Sequence, residues 1–272
     1  MKKPFHSMEN ENKINSNNRK KTSTSQSATV DTNTINDFHD DILTYIISFL
    51  PIKDAFRTTV LSKRWLPLCH LLSDIDIDDK GLKNAEDLIQ HCHMLDAIMF
   101  SPCSQDRTLK SFKLKCCSSL WDAKADCFNI DKWVEAAKRR RVEYLDLYLF
   151  KNPLAPTIFC CETHVVLSLT DIHVADMFDC SAHLPLLKTL CLLSVRFQDT
   201  VDFMKLLSGC PKLKYLSTIL VKPRVTTIEA NGGVPAKGYI KSLSKLVGAS
   251  VCLFEVPLRA LYNVQVLEVI GV

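Results

Sequence analysis

Four features of this 272-residue chain concentrate side chains that could do chemistry. His91-Cys92-His93 offers three metal-ligating groups in a row. "DIDIDD", residues 74 to 79, sets four carboxylates close together. Lys138-Arg139-Arg140-Arg141 could hold a phosphate, and twelve cysteines with eight histidines could supply a thiol nucleophile. Each depends on the element that would carry it. Adjacent residues on a helix point about 100° apart, so the three groups at 91–93 cannot converge on one ion. As a calcium loop 74–85 lacks the glycine at its sixth position and the glutamate at its twelfth, where Asp79 and Ala85 stand. The cationic run lies at a helix C-terminus, where positive charge complements the dipole, and reads as a solvated face. No cysteines are spaced as C-x-x-C, and two pairs, Cys116-Cys117 and Cys160-Cys161, are direct neighbours, against a zinc ribbon or RING-type site. A thiol enzyme needs a positioned histidine, and no local signature supplies one. With seven glycines there is little room for phosphate-cradling loops, and no dinucleotide or nucleophile-elbow motif occurs. The chain reads as a non-enzyme with no cofactor and no metal.

The elements carry more information than the isolated groups. Hydrophobic residues make up 47 % and charged residues 24 %, as in ordinary folded domains. The net charge of +4 is too mild to imply nucleic acid, and no apolar run is long enough to span a membrane. The thiols read as reduced, placing the chain in the cytoplasm or nucleus. Residues 1–35, rich in Asn, Ser, Thr and Lys, cannot bury enough surface to order themselves and read as a disordered tail. Its Arg19-Lys20-Lys21 cluster reads as a solvated tail rather than a nuclear address.

From Asp37 the pattern changes. Asp37, Asp40 and Asp41 bring cap oxygens and negative charge to a helix start. Ile42, Ile46 and Phe49 form one apolar line, and Leu43, Ile47 and Leu50 form the next. Pro51 ends this helix. A second short helix has Ala55, Phe56, Thr59 and Val60 inward, and Ser62 is placed to cap a third carrying Trp65, Leu66 and Cys69. Three helices in so few residues cannot enclose a stripe two lines wide. The surplus requires a partner, the rest of the chain covering only part of it.

Residues 37–69, "DFHDDILTYIISFLPIKDAFRTTVLSKRWLPLC", resemble an F-box in the form common in plant F-box/leucine-rich-repeat proteins. The match rests on the D-D-I-L start, the S-F-L-P-x-K-D-A middle and the V-L-S-K-R-W end. Phe38-His39 stands where the family usually has Leu-Pro, replacing a rigid helix-start proline. The resemblance implies that the box, residues 36–72, docks a Skp-family adaptor and through it a cullin-based, SCF-type ubiquitin ligase. Phe38, Ile42, Leu43, Ile46, Leu50, Pro51, Val60, Leu61 and Trp65 would supply that contact. A repeat-based protein-binding scaffold without the adaptor contact is the alternative, and an RNA-binding solenoid a third reading.

Residues 73–272 then read as an irregular leucine-rich-repeat domain, making the whole chain α/β. "DIDIDD" alternates as a strand with one buried face. The L-x-x-L-x-L pattern recurs as Leu109-Phe112-Leu114, Val142-Leu145-Leu147 and Leu187-Leu190-Leu192. Weaker copies are His164-Leu167-Leu169, Leu213-Leu216-Thr218 and Val264-Leu267-Val269, with a degenerate one at Leu246-Ala249-Val251. Helical spacers at 85–99, "DKWVEAAKRR" and "DFMKLLSGCPKLKYL" separate them. "WVEAAKRRRVEYLDL" and "LLSGCPKLKYL" also resemble repeats of the same plant family. Each unit exposes an apolar face that only its neighbours can cover, so the array is expected to stack as a curved solenoid. Val264 to Val272 lacks a polar cap, and the array is expected to be incomplete there. Lys113, Tyr144, Asp146, Tyr148, Thr189 and Tyr215 alternate with the leucines and would face an unidentified cargo protein.

Overall fold

The computed structural model describes residues 34–118, 120–121, 129–150, 152–178, 180–223, 243–252, 255–256 and 258–271. They fall into two compact units, one ending at Phe38 and one spanning His39–Val272. In the first, the Asp37 carboxylate accepts from the Thr34 amide at 2.6 Å and closes a 3-10 turn, Ile35–Asp37. Of the expected disordered tail, residues 1–35, those up to 33, with the Arg19-Lys20-Lys21 cluster, lie outside the described residues, while Thr34 and Ile35 take part in this turn.

The second unit opens with α1 (Asp40–Ser48), α2 (Ile52–Arg57) and α3 (Trp65–Cys69). His39 is the N-cap of α1, its ring accepting from the Asp41 amide at 3.5 Å, so this histidine stands where the expected cap oxygens would. Pro51 both excludes Leu50 from the helix and starts α2. Ser62 does not cap α3 through its side chain; Arg64 occupies that position, and its Nε donates to Asp40 Oδ1 at 2.7 Å, tying the two helix starts together. The Cys69 thiol donates to the Ala55 carbonyl, 3.1 Å away, and so seats α3 on α2.

Every sequence repeat becomes a five-residue strand. β1 (Asp74–Asp78), β2 (Ser111–Lys115) and β3 (Tyr144–Tyr148) are followed in one parallel sheet by β5 (Val166–Thr170) and β7 (Thr189–Leu193). β9 (Tyr215–Ile219), β11 (Gly248–Cys252) and β12 (Val266–Ile270) complete its eight strands. All eight align first residue to first residue. Period-two alternation therefore buries the second and fourth residues of the first seven strands, with Phe112, Leu114, Leu145, Leu147, Leu167 and Leu169 fully buried, while the matching pair on β12, Leu267 and Val269, is exposed. The register also shows that Leu72-Ile75-Ile77, all buried, is a copy of the same L-x-x-L-x-L unit and makes "DIDIDD" the first repeat strand.

Parallel neighbours need crossovers. α4 (Ala85–Phe100), with the short α5 (Pro102–Gln105), bridges β1 to β2. α6 (Ile130–Arg139) bridges β2 to β3, and α7 (Thr200–Ser208) bridges β7 to β9. α4 buries Leu88, Cys92, Leu95 and Met99, α6 buries Trp133, Val134 and Ala137, and α7 buries Phe203, Leu206 and Leu207, as their spacing requires. A second parallel sheet was not legible in the sequence. Its strands β4 (Pro153–Leu154), β6 (His173–Val174), β8 (Arg196–Phe197) and β10 (Lys222–Pro223) are two residues each. The chain turns toward it through left-handed residues directly after three strands: Asp171 (φ 51°), Ser194 (φ 54°) and Leu220 (φ 58°). None is a glycine, and the first two amides extend the ladder to Leu193 and Ile219 carbonyls at 2.9 and 2.8 Å.

Two buried polar groups join the layers. The Asp79 carboxylate accepts from the Cys117 and Ser118 amides and from Trp121 Nε1 at 2.6 to 2.8 Å, clasping the loops after β1 and β2. Arg140, expected on a solvated face, is 2 % exposed. Its guanidinium donates to the Leu72 and Arg107 carbonyls, both at 3.3 Å, which are acceptors far away in sequence and brought together only by the fold. Lys138 of the same run pairs with Glu135 at 2.7 Å, while Arg139 and Arg141 remain exposed.

At the end of α7, Gly209 has an ordinary helical φ of −77°, so its need for glycine is steric. A Cβ there would overlap the Ala182 carbonyl carbon at 2.6 Å and Cβ at 2.7 Å. Its carbonyl also accepts from the Leu184 amide at 2.9 Å. Gly209→Ala should destabilise the chain by about 1–3 kcal/mol, the usual cost of overpacking, read as a lower urea midpoint. An unchanged midpoint would show that the 182–184 loop gives way freely.

Candidate protein-docking surface

The two apolar lines of α1 have opposite fates. Leu43 and Ile47 are fully buried, and with Ile52, Ala55, Trp65, Leu68 and Cys69 they close the core of the three helices against the sheet. The other line stays in solvent: Ile42 is 47 % exposed, Ile46 37 % and Phe49 70 %. Leu50, Val60, Leu61 and Leu66 are exposed as well, Val60 to 86 %. Tyr45 and Phe49 meet edge to face at 4.8 Å, holding an aromatic pair on the same side. Isolated exposed apolar residues are ordinary on any protein, but eight large ones, Tyr45 among them, lie within these 25 residues, the kind of concentration found at interaction sites.

This arrangement corrects two of the sequence expectations. Leu43 and Trp65 cannot offer side chains to a partner, because the chain's own core uses them. Val60, expected to face inward on the second helix, faces out, since the chain leaves α2 for a 3-10 turn, Thr58–Val60, that rotates it away. Ile42, Ile46, Leu50, Pro51 and Leu61 are at the surface. Phe49 and Tyr45, which the expected contact set omitted, belong to the same exposed group. The i, i+4, i+7 line through Phe49 was the available signal. Phe38, in the other compact unit, is 48 % exposed.

On the sheet, the side opposite the buried leucines is open. Lys113, Tyr144, Asp146, Tyr148 and Thr189 are half-buried there among their neighbours, and Tyr215 is 53 % exposed. Lys113 Nζ lies 3.9 Å from Asp76 and 5.5 Å from the centre of the Tyr144 ring.

The groups that could have done chemistry are dispersed. On α4, His91 and Cys92 are buried while His93 faces solvent, and burial with the nearby Lys53 charge brings His91 down to about 4. Burial pushes the Cys92 and Cys210 thiols up to about 12. Cys161 differs. Burial pushes it up, but the neighbouring His164 imidazole and the Thr163 hydroxyl, 3.4 Å away, outweigh this and bring it down to about 7. This thiol–imidazole pair, invisible as a motif, sits in the repeat interior, with Cys161 8 % exposed and His164 fully buried. Its His164 Nδ1 is held by the Val142 carbonyl at 3.1 Å.

Comparison with known proteins agrees with this geometry. Residues 35–73 match the F-box domain family, and residues 130–232 match the family described as "FBD-associated F-box protein At5g56370, LRR repeats". Among similar proteins of Arabidopsis thaliana, F-box/LRR-repeat protein At4g14103 is 33 % identical over 195 residues, covering 67 % of this chain and 48 % of the relative. F-box/LRR-repeat protein At3g59190 is 32 % identical over 203 residues, covering 68 % and 49 %. Putative F-box/FBD/LRR-repeat protein At1g66290 is 30 % identical over 181 residues, covering 66 % and 38 %. The matched region is thus under half the length of each of these relatives.

The opposite fates of the two α1 lines can be measured. Leu43→Ala should cost about 3 kcal/mol, the usual range for a buried leucine. Ile46→Ala should stay within about 0.5 kcal/mol, as surface substitutions do. Urea unfolding of the two variants checks the assignment, and comparable losses in both would place Ile46 in the core.

Proposed function

Because the chain is an F-box/leucine-rich-repeat protein of the plant type, we propose that it is the substrate-recognition subunit of a cullin-based, SCF-type ubiquitin ligase. In this reading it does no chemistry. The box docks a Skp-family adaptor, and the repeats, stacked as a curved solenoid, present a cargo protein in the cytoplasm or nucleus. One observation carries the reading: the three-helix box spends one apolar line on its own core and leaves Ile42, Ile46, Phe49, Val60 and Leu61 in water. Burying such a surface in a partner removes it from solvent at about 25 cal/mol per Å2, and large aliphatics at a desolvated centre are the usual hot spots. The His39 cap supports the box as a folded docking unit, since α1 forms without the proline usual before it.

Co-expression with a Skp-family adaptor should give a complex that co-elutes on size exclusion. Ile46→Asp with Val60→Asp should abolish co-elution while leaving the unfolding midpoint unchanged, because both positions are at the surface. Retained co-elution in that double variant would overturn the adaptor assignment, and its absence in the wild-type chain would favour a repeat scaffold without the adaptor contact.

The open sheet face is the proposed cargo surface, through Lys113, Tyr144, Asp146, Tyr148, Thr189 and Tyr215. Its tyrosines offer large contact area with few rotors to freeze. A Tyr144→Ala, Tyr215→Ala variant should keep the adaptor and lose a subset of proteins in a proximity-labelling comparison. Identical labelled sets would move the cargo site away from this face.

A further inference from the structure

In-register pairing sets the middle outward residue of every strand in one row. Across the sheet, Asp146 is aligned with Ser168, Ser168 with Cys191, Cys191 with Ser217 and Ser217 with Ser250. From β5 to β11 the row is therefore made of small side chains that each carry a hydroxyl or a thiol. Its flanks are larger. Tyr144, Val166, Thr189 and Tyr215 stand in the row on one side, which falls away at Gly248, and Tyr148, Thr170, Leu193 and Ile219 in the row on the other. Small residues along the middle and large ones beside them make a shallow trough that runs across the strands.

One end of the trough carries an unbalanced charge. Asp146 makes no ion pair among the described residues, and its aligned neighbour Lys113 is directed instead toward Asp76 and the Tyr144 ring. Burial, and then the Asp146 charge, push both the Tyr144 hydroxyl and the Cys191 thiol up. At the far end Glu268 is engaged, accepting from the Ser250 hydroxyl at 2.9 Å.

We propose that this trough takes an extended peptide segment of the cargo, lying across the strands with an arginine or lysine side chain on Asp146. Neutral residues then rest over Ser168, Cys191 and Ser217, whose hydroxyls and thiol meet the peptide's backbone groups. The inference rests on the reading that cargo binds the open face, and it names the class of segment that fits. Charge complementarity selects the cation, and a carboxylate favours the planar, bidentate guanidinium. Length agrees: four inter-strand steps from Asp146 to Ser250 span about 19 Å, the reach of about six extended residues.

The test uses the full chain and fluorescein-labelled hexapeptide mixtures with one terminal position fixed as Arg, citrulline or Glu, followed by fluorescence polarisation. The Arg mixture should bind about tenfold more tightly than the citrulline mixture, the size expected of a charge-assisted hydrogen bond. Asp146→Asn should erase that preference and Asp146→Lys should turn it toward Glu, both with wild-type unfolding midpoints. Ser217→Tyr, which fills the floor, should weaken every mixture. Equal binding of Arg and citrulline mixtures, or an Arg preference that survives Asp146→Asn, overturns the cation anchor even where Ser217→Tyr still weakens binding. If Ser217→Tyr changes nothing, the open-face reading itself fails.

Discussion

No strand in the main sheet can bury its own inward pair. From β1 to β11 each turns its second and fourth residues inward, apolar in all but Thr218 of β9, and these are covered by the matching pair on the next strand and by the elements behind the sheet. Strict register follows, because a slip of one residue would send Leu145 and Leu147 into solvent and draw Tyr144 and Asp146 inside. With register held, the connections are free to differ. A sixteen-residue helix fills the gap before β2, while a four-residue 3-10 turn suffices within the gap between β3 and β5. The irregular repeat length in the sequence is a consequence of this freedom.

The same alternation produces both sides of the molecule. Whatever makes Leu167 and Leu169 interior makes Ser168 exterior, so core and outer face are two readings of one string of residues. The box divides its residues in the same way on a helical period, with Leu43 and Ile47 inward and Ile42 and Ile46 outward. The matches to the F-box domain and to the leucine-rich repeats fall separately on these two halves, residues 35–73 and 130–232.

The main strands were legible because a five-residue alternation with leucine at two fixed points is a strong periodic signal. Even "DIDIDD" declared itself as a strand, though Leu72, three residues before Ile75, was needed to show it as a repeat. The second sheet was not legible, since two-residue strands carry no period. Nor could the sequence say which line of α1 would face in, because both are equally apolar and only Trp65 and Leu68 packing behind one of them decides. Arg140 misled for a related reason. A run of four cations reads as surface, and the carbonyls of Leu72 and Arg107 that draw one of them inside come from distant parts of the chain.

Arg140 has a consequence for modularity. Its guanidinium reaches from the end of α6 to the carbonyl of Leu72, the residue at which the box gives way to the repeats, and the Leu109 amide donates to its own carbonyl at 2.8 Å. Box and first repeats are therefore not beads on a string. A box excised at residue 72 would leave the Leu72 carbonyl without its donor and one face of its helices without the sheet. Transplanting it as a cassette onto another array requires carrying β1 through β3 with it, so recombination within such proteins has its natural seam between later repeats, where strands meet only their neighbours.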